Sequence, residues 1–330
     1  MQGNEERQLF ILHITIIKKK KFFTMKIFKN IFLKNYSTLK IGGKAKYFCK
    51  ANSISELKEI LNFAFKKNLK VFILGAGSNI LFPDRNFKYL VIKINLKKKK
   101  IFKKNIIVAQ SGVLISELIE FAKRHSLSGL EWASGIPGTL GGCLYENCGA
   151  FGSEIKDLVL WVKTISIKKP FLEKVYFKKD LNFSYRDSSF KKLDEIIVEA
   201  GLKLKKSDKK LIQKRMEKFL KIRKLNQPIE KFSCGCVFKN VLFKDLSKKY
   251  QKEFKKFEKN GKISAGLLID KLGLKGKRIG AIQISEKHAN FFINLGKGKS
   301  SDFKKLIAFC KKKVKEKFKV NLEEEIETFF

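Results

Sequence analysis

Arginine is scarce in a chain that is otherwise crowded with positive charge. Of the 73 basic residues among 330, seven are arginine, and the formal net charge is +42. Such a balance ordinarily points to nucleic acid or an anionic membrane. Arginine, however, is the side chain that grips phosphate and guanine bidentately. The lysines are also scattered through every segment instead of forming one stripe. With 31 phenylalanines beside them, they read as the mark of an A/T-rich genome: a solvated surface with no nucleic-acid partner. Long-range attraction of anionic ligands stays open.

Other shortages narrow the classes further. There are three histidines and six cysteines, at 49, 143, 148, 234, 236 and 310, with no pair of Cys-x-x-Cys units. A metal site is therefore not expected, and the thiols read as reduced and cytoplasmic. The apolar run at 9–17 is too short to span a bilayer. Four lysines follow it where a signal peptide would carry a small-residue cleavage site, so membrane insertion is not expected. Met25 begins a more ordinary start, and residues 1–24 are read as a doubtful N-terminal extension. No internal repeat is present.

What is there fits two or three domains. Ser53 and Glu56 form a capping box, and Leu57, Ile60, Leu61, Ala64 and Phe65 repeat at helical spacing. Strands are predicted at 71–74 and 89–94, a solvated turn at 97–100, and a second helix over 114–125. Alternating runs at 158–167, 174–177 and 196–204 read as strands. Residues 208–224 read as a lysine-rich linking helix, and 301–318 as an amphipathic helix with Cys310 on its apolar face.

The chemistry concentrates in a few places. Ser233 to Asn240 holds two thiols, a glycine, a lysine and an amide within eight residues. Cys234 and Cys236 stand too close for an easy disulfide and lack two further metal ligands nearby. Two glycine-rich loops, 75–79 and 135–142, could bring backbone amides to one anion, and Asn147 and Gly149 follow closely. Neither loop is a Rossmann or Walker pattern. Singly each is a tight turn; converging, they would cradle a dinucleotide. Tyr185-Arg186-Asp187-Ser188 is either a surface ion pair or a clamp for developing negative charge. Glu323, Glu324 and Glu325 lie between Leu322 and Ile326, apolar flanks that suggest a strand burying one carboxylate. The polar cluster 285–290, with His288, could contact substrate.

In this order these segments resemble the UDP-N-acetylenolpyruvoylglucosamine reductase family. The matches are Ile41-Gly42-Gly43, residues 75–79, 135–142 and 147–152, Tyr185 to Ser188, Cys236 to Asn240, residues 265–270, 273–276 and 322–326. The short span between Tyr185 and Val198 resembles the compact type II subtype. The resemblance implies an α+β fold: a two-lobed FAD-binding domain of the PCMH/VAO type (25–95 and 96–207), a linking helix (208–226) and a substrate-binding domain (227–330). It implies FAD and NADPH as cofactors, a UDP-sugar substrate of peptidoglycan synthesis, and a cytoplasmic monomer. It places Gly75, Ala76, Gly77, Ser78, Asn79, Gly135, Ile136, Gly138, Thr139, Gly142, Asn147 and Gly149 at the flavin, and Tyr185, Lys239 and Asn240 at the substrate. Arg186 and Glu325 match the family's active-site arginine and glutamate. Cys236 stands where the family has its proton-donating serine. A free thiol of pKa about 8.5 is mostly protonated at neutral pH and is a stronger acid than an alcohol; nearby cations could lower that value and leave a thiolate. The tail departs from the family's usual ending, a basic residue after the hydrophobic one and a glycine near the end.

Overall fold

The helix Ile54–Lys66 begins where Ser53, in extended conformation, accepts a hydrogen bond from the Glu56 amide at 3.1 Å. The Glu56 carboxylate reaches past the cap to the Asn52 amide (2.8 Å) and side chain (3.0 Å), so the box closes one residue earlier than predicted. Leu57, Ile60, Leu61 and Ala64 form its buried stripe. The computed structural model of the protein describes residues 12–14 and 25–329. The stripe lies on a five-stranded sheet ordered Leu12–Ile14, Met25–Phe32, Lys44–Ala51, Phe87–Ile94, Val71–Leu74. Lys44–Ala51 and Val71–Leu74 both run parallel to Phe87–Ile94, which makes the helix their crossover. Alternation along Phe87–Ile94 separates the faces: Leu90 and Ile92 face the helix, while Phe87 and Val91 join Leu33, Phe48 and Phe82 beneath. Of the expected extension 1–24, only the strand Leu12–Ile14, antiparallel to Met25–Phe32, falls within the described residues.

The second sheet is antiparallel throughout, in the order Glu173–Phe177, Val159–Ser166, Glu195–Lys203, Ile106–Gln110, Lys99–Phe102. Residues 97–100 are not wholly a turn as predicted. Lys99 and Lys100 open an edge strand, where lysines are tolerated because one side of the ladder meets water. The helix Ile115–Arg124 packs Ile115, Leu118, Ile119 and Ala122 into this lobe. Ile165, Phe171, Ile196 and Val198 of the second lobe complete the core under the first helix, so the two lobes share buried surface.

The linking helix runs Lys209–Asn226 and is capped by Asp208, whose carboxylate accepts from the Lys210 and Leu211 amides. It buries Ile212, Met216 and Arg223. The C-terminal region has a sheet ordered Phe232–Cys236, Phe291–Asn294, Ile282–Ile284, Arg278–Ile279. The helix Ser300–Phe318 packs Phe303, Leu306, Ile307, Cys310, Val314 and Phe318 against it. Leu39, Ile41 and Leu81 from the first lobe join that core. The α+β reading holds: two lobes and a third region meet around the segment 236–240.

Candidate active site

A regular strand would turn Cys234 and Cys236 to the same face, two residues being one full repeat. The pairing of Phe232–Cys236 with its neighbour slips between Ser233 (opposite Ile293) and Cys236 (opposite Phe291), which leaves one extra residue. Gly235 takes up the bulge at φ +83°. Cys234 is thereby buried in the third core, while Cys236 is only partly covered. All six cysteines are free.

Arg186 is presented by a tight turn in which Ser184 and Asp187 exchange backbone hydrogen bonds of 3.1 and 3.2 Å. Its φ of +56° is a left-handed conformation costly for a non-glycine residue and is held by the surroundings. Arg186 Nε donates to Glu325 Oε1 at 2.5 Å, and Nη2 to the Gly149 carbonyl at 2.9 Å. Glu325 arrives from 139 residues away in sequence. Its amide donates to the Val237 carbonyl at 2.8 Å, one residue beyond Cys236. Of the three tail carboxylates Glu325 is the one drawn inside, since Glu323 pairs with Lys239 (2.7 Å) and Glu324 with Lys311 (2.6 Å) nearer the surface.

The electrostatics follow from this packing. Burial pushes the Cys236 thiol up to about 12, reinforced by the Glu325 charge and opposed by Arg186 and Arg223. The cations do not win, so the thiolate allowed for from the sequence is disfavoured. Burial also raises the Glu325 carboxyl above its usual range, although Arg186 pulls the other way. Burial alone would lower Arg186; the Glu325 carboxylate, through its charge and its hydrogen bond, outweighs it and keeps the guanidinium charged.

The two glycine loops do converge. A Cβ on Gly75 would stand 2.7 Å from Thr139 Oγ1, and one on Gly77, at φ +69°, would stand 2.0 Å from the Tyr36 carbonyl. Thr139 caps the short helix Leu140–Tyr145, accepting from the Gly142 amide at 3.3 Å. Gly141 lies against Ser111. Three buried side-chain atoms have no hydrogen-bond partner among the described residues: Ser111 Oγ, Ser134 Oγ and Arg223 Nε. Ser134 precedes Gly135, and the Arg223 side chain packs on Gly135. Lys93 donates to the Gly75 carbonyl from below; burial, then Lys97 and Lys50, lower its pKa to about 8. A narrow cradle with stranded polar atoms and two cations fits an anionic, polar-edged group such as FAD. Ala76, Ser78, Ile136 and Gly138 lie on these same loops, while Gly149 lies beyond them in the short strand Gly149–Ala150, where its carbonyl accepts from Arg186.

Three asparagines expected to meet ligands bond their side chains to the protein; Asn147 is buried and must be paired, Asn79 is half-buried and Asn240 exposed. Asn147 donates to Ser184 O (2.7 Å) and Glu154 (3.1 Å) and accepts from the Lys156 amide (3.3 Å). It braces the Arg186 turn. Asn79 Nδ2 donates to the Glu325 carbonyl at 3.1 Å. Asn240 Oδ1 accepts from the Ala265 amide at 3.4 Å, and its own amide donates to Tyr185 Oη at 3.2 Å. The cluster 285–290 is likewise a brace: Asn290 accepts from the Phe238 amide (2.9 Å) and donates to the Phe238 carbonyl (2.8 Å). His288 Nδ1 accepts from the Asn290 amide at 3.2 Å. Arg223 escaped the sequence reading, hidden in a lysine-rich helix. Its signal was chemical, one of seven arginines in register with Ile212 and Met216.

Residues 227–329 match the family described as UDP-N-acetylenolpyruvoylglucosamine reductase, C-terminal domain, and residues 45–168 match the FAD binding domain family. The UDP-N-acetylenolpyruvoylglucosamine reductase of Clostridium novyi (strain NT) is 35% identical over 297 residues, 90% of each chain. That of Pseudothermotoga lettingae is 38% identical over 295 residues, 89% of this chain and 95% of its own. The crystal structure of the Thermus caldophilus enzyme of the same name is similar at a TM-score of 0.74 and 32% identity, covering 93% of this chain and 100% of that one.

Proposed function

The chain belongs to the UDP-N-acetylenolpyruvoylglucosamine reductase family, and from that membership we propose how its residues reduce the enolpyruvyl sugar in peptidoglycan synthesis. The glycine loops 75–79 and 135–142, with Ser111, Ser134 and Arg223, would hold FAD where lobes 25–95 and 96–207 meet. The region 227–330, joined by the helix 208–226, receives the UDP-sugar, with Tyr185 and Lys239 at its rim. FAD, when bound, supplies the hydride that it takes from NADPH.

The protein's own residues handle charge and proton. Arg186, fixed by Glu325 and the Gly149 carbonyl, holds the substrate carboxylate. As hydride reaches one carbon of the enolpyruvyl double bond, negative charge spreads from the neighbouring carbon into that carboxylate. A guanidinium already oriented stabilises it without reorganisation. Cys236 Sγ–H then gives its proton to the neighbouring carbon, and the thiolate recovers a proton from water. Both electron pairs of the two new C–H bonds are accounted for: one from the hydride, one from the former double bond. A thiol raised to about 12 holds its proton until a strongly basic carbanion forms beside it.

The single observation that carries this reading is the convergence of Arg186, Glu325 and Cys236 from three distant stretches of chain. The test is a purified protein carrying flavin absorbance that, without oxygen, oxidises NADPH beyond one equivalent per flavin only when the enolpyruvyl sugar is added. A colourless protein, or oxidation indifferent to the sugar, would refute it. We propose further that the enzyme works as a cytoplasmic monomer without nucleic acid.

A further inference from the structure

We infer that the last residues of the chain act as a strap that sets the position of Glu325, with Phe329 as its anchor; the inference rests on the role given to Glu325 above. Among the described residues beyond the helix Ser300–Phe318 there is a single two-residue strand, Glu327–Thr328, parallel to Ile80–Leu81. So short a ladder does not hold a segment by itself. On one side the strap is fastened to the C-terminal region. The Lys239 amide donates to the Glu323 carbonyl at 2.8 Å, the Glu325 amide to Val237 O at 2.8 Å, and Ile326 is buried in that core. On the other side it is fastened to the first lobe. The Glu327 amide donates to Asn79 O at 3.0 Å, and Asn79 Nδ2 donates to the Glu325 carbonyl at 3.1 Å.

Phe329 closes the first-lobe side. Its ring meets Phe72 edge-on at 4.8 Å and Phe87 at 5.8 Å, joining the core formed with Leu33, Phe48 and Phe82. Glu325 therefore sits at the middle of a span held at both ends. Its side chain points to Arg186 of the second lobe. The strap also touches the turn that carries Arg186. Glu327 lies 3.6 Å from Lys191 Nζ, which donates to the Arg186 carbonyl at 3.4 Å and to Glu146 at 2.6 Å. Phe329 is a positioning residue: it acts on the reaction through Glu325 and Arg186.

The test compares Phe329→Leu, Phe329→Ala and Glu325→Gln in the flavin-loaded enzyme. Phe329→Ala should speed hydrogen exchange at the Glu325 and Glu327 amides by about ten-fold or more, since local opening sets their protection. It should slow reduction of the enolpyruvyl sugar by about 10- to 100-fold, the cost expected of an ångström-scale misplacement. Bleaching of the flavin by NADPH, which does not use Glu325, should stay within about two-fold, a split that general loosening of the fold would not produce. Phe329→Leu, which keeps the apolar anchor, should recover most of both readouts. Wild-type exchange and turnover in Phe329→Ala, with Glu325→Gln impaired, would overturn the strap and leave the role of Glu325 intact. Normal turnover in Glu325→Gln would overturn that role, and the exchange rates would still decide the strap.

Discussion

Replacing Arg186 by methionine keeps the aliphatic stem and removes the charge. Two bonds go: the 2.5 Å charge-assisted contact to Glu325 and the 2.9 Å bond to the Gly149 carbonyl. The strained backbone of the turn remains, so nothing is regained. The paired side chains keep 20% and 16% of their exposure. The loss should therefore fall below the roughly 3–5 kcal/mol of a fully buried broken pair, at about 2–3 kcal/mol near pH 8. The sign of its pH dependence follows from Glu325. Burial already raises that carboxyl, and Arg186 is the largest influence opposing the rise. Without Arg186 the folded protein binds this proton at a higher pH than the unfolded chain does. Stability associated with it is present below the unfolded carboxylate value and is lost as pH rises through the raised folded value. The deficit of Arg186→Met should accordingly be smaller at pH 5 than at pH 8. Urea unfolding of the flavin-saturated enzyme at both pH values measures it. Glu325→Gln and the double variant complete the cycle, which should show coupling of about 1 kcal/mol or more. A deficit equal at the two pH values, together with additive single variants, would refute the reasoning.

Gly77→Ala should weaken flavin retention, because its Cβ would enter the Tyr36 carbonyl at a left-handed φ; the flavin-to-protein ratio after gel filtration checks it, with a cost of about 1–3 kcal/mol expected from such strain. Cys310 is buried and pushed up to about 12 from 9.0. Its contribution is fully present below pH 9 and is lost as pH rises from 9 towards 12. Cys310→Ala, though less stable at pH 7, should lose about 1.4 kcal/mol less than the parent between pH 8 and pH 10 in urea titrations.

Much of the frame was legible because local signals agreed with the packing. The Ser53 cap and the stripe Leu57, Ile60, Leu61, Ala64 and Phe65 predicted a helix that lies where expected, although Phe65 itself falls at the edge of the stripe and is exposed. The linking helix and the Cys310 face were equally plain. The helix Leu140–Tyr145 was not, because two glycines in six residues erase any apolar period; Thr139 as its cap was the remaining signal. The edge strand at Lys99 was masked by lysines that an edge permits. At the site, Arg186 and Glu325 were legible as separate motifs. That they share one site was visible only through the resemblance, and their direct contact was not visible at all, since no spacing rule links residues 139 apart. The roles of Asn79, Asn147 and Asn290 as braces were invisible, for an asparagine able to meet a ligand looks the same in sequence as one spent on a buried carbonyl. Arg223 was hidden in the same way by its lysine neighbours.

The most direct test of the account separates the two half-reactions in Cys236→Ala. Mixed anaerobically with NADPH, the variant should bleach its flavin at close to the parent rate. Mixed then with the enolpyruvyl sugar, the reduced enzyme should reoxidise about 10²- to 10⁴-fold more slowly, the scale of a lost general acid. Reoxidation at the parent rate would show that the proton comes from elsewhere, and that the thiol held protonated by burial beside Glu325 is not the acid of this site.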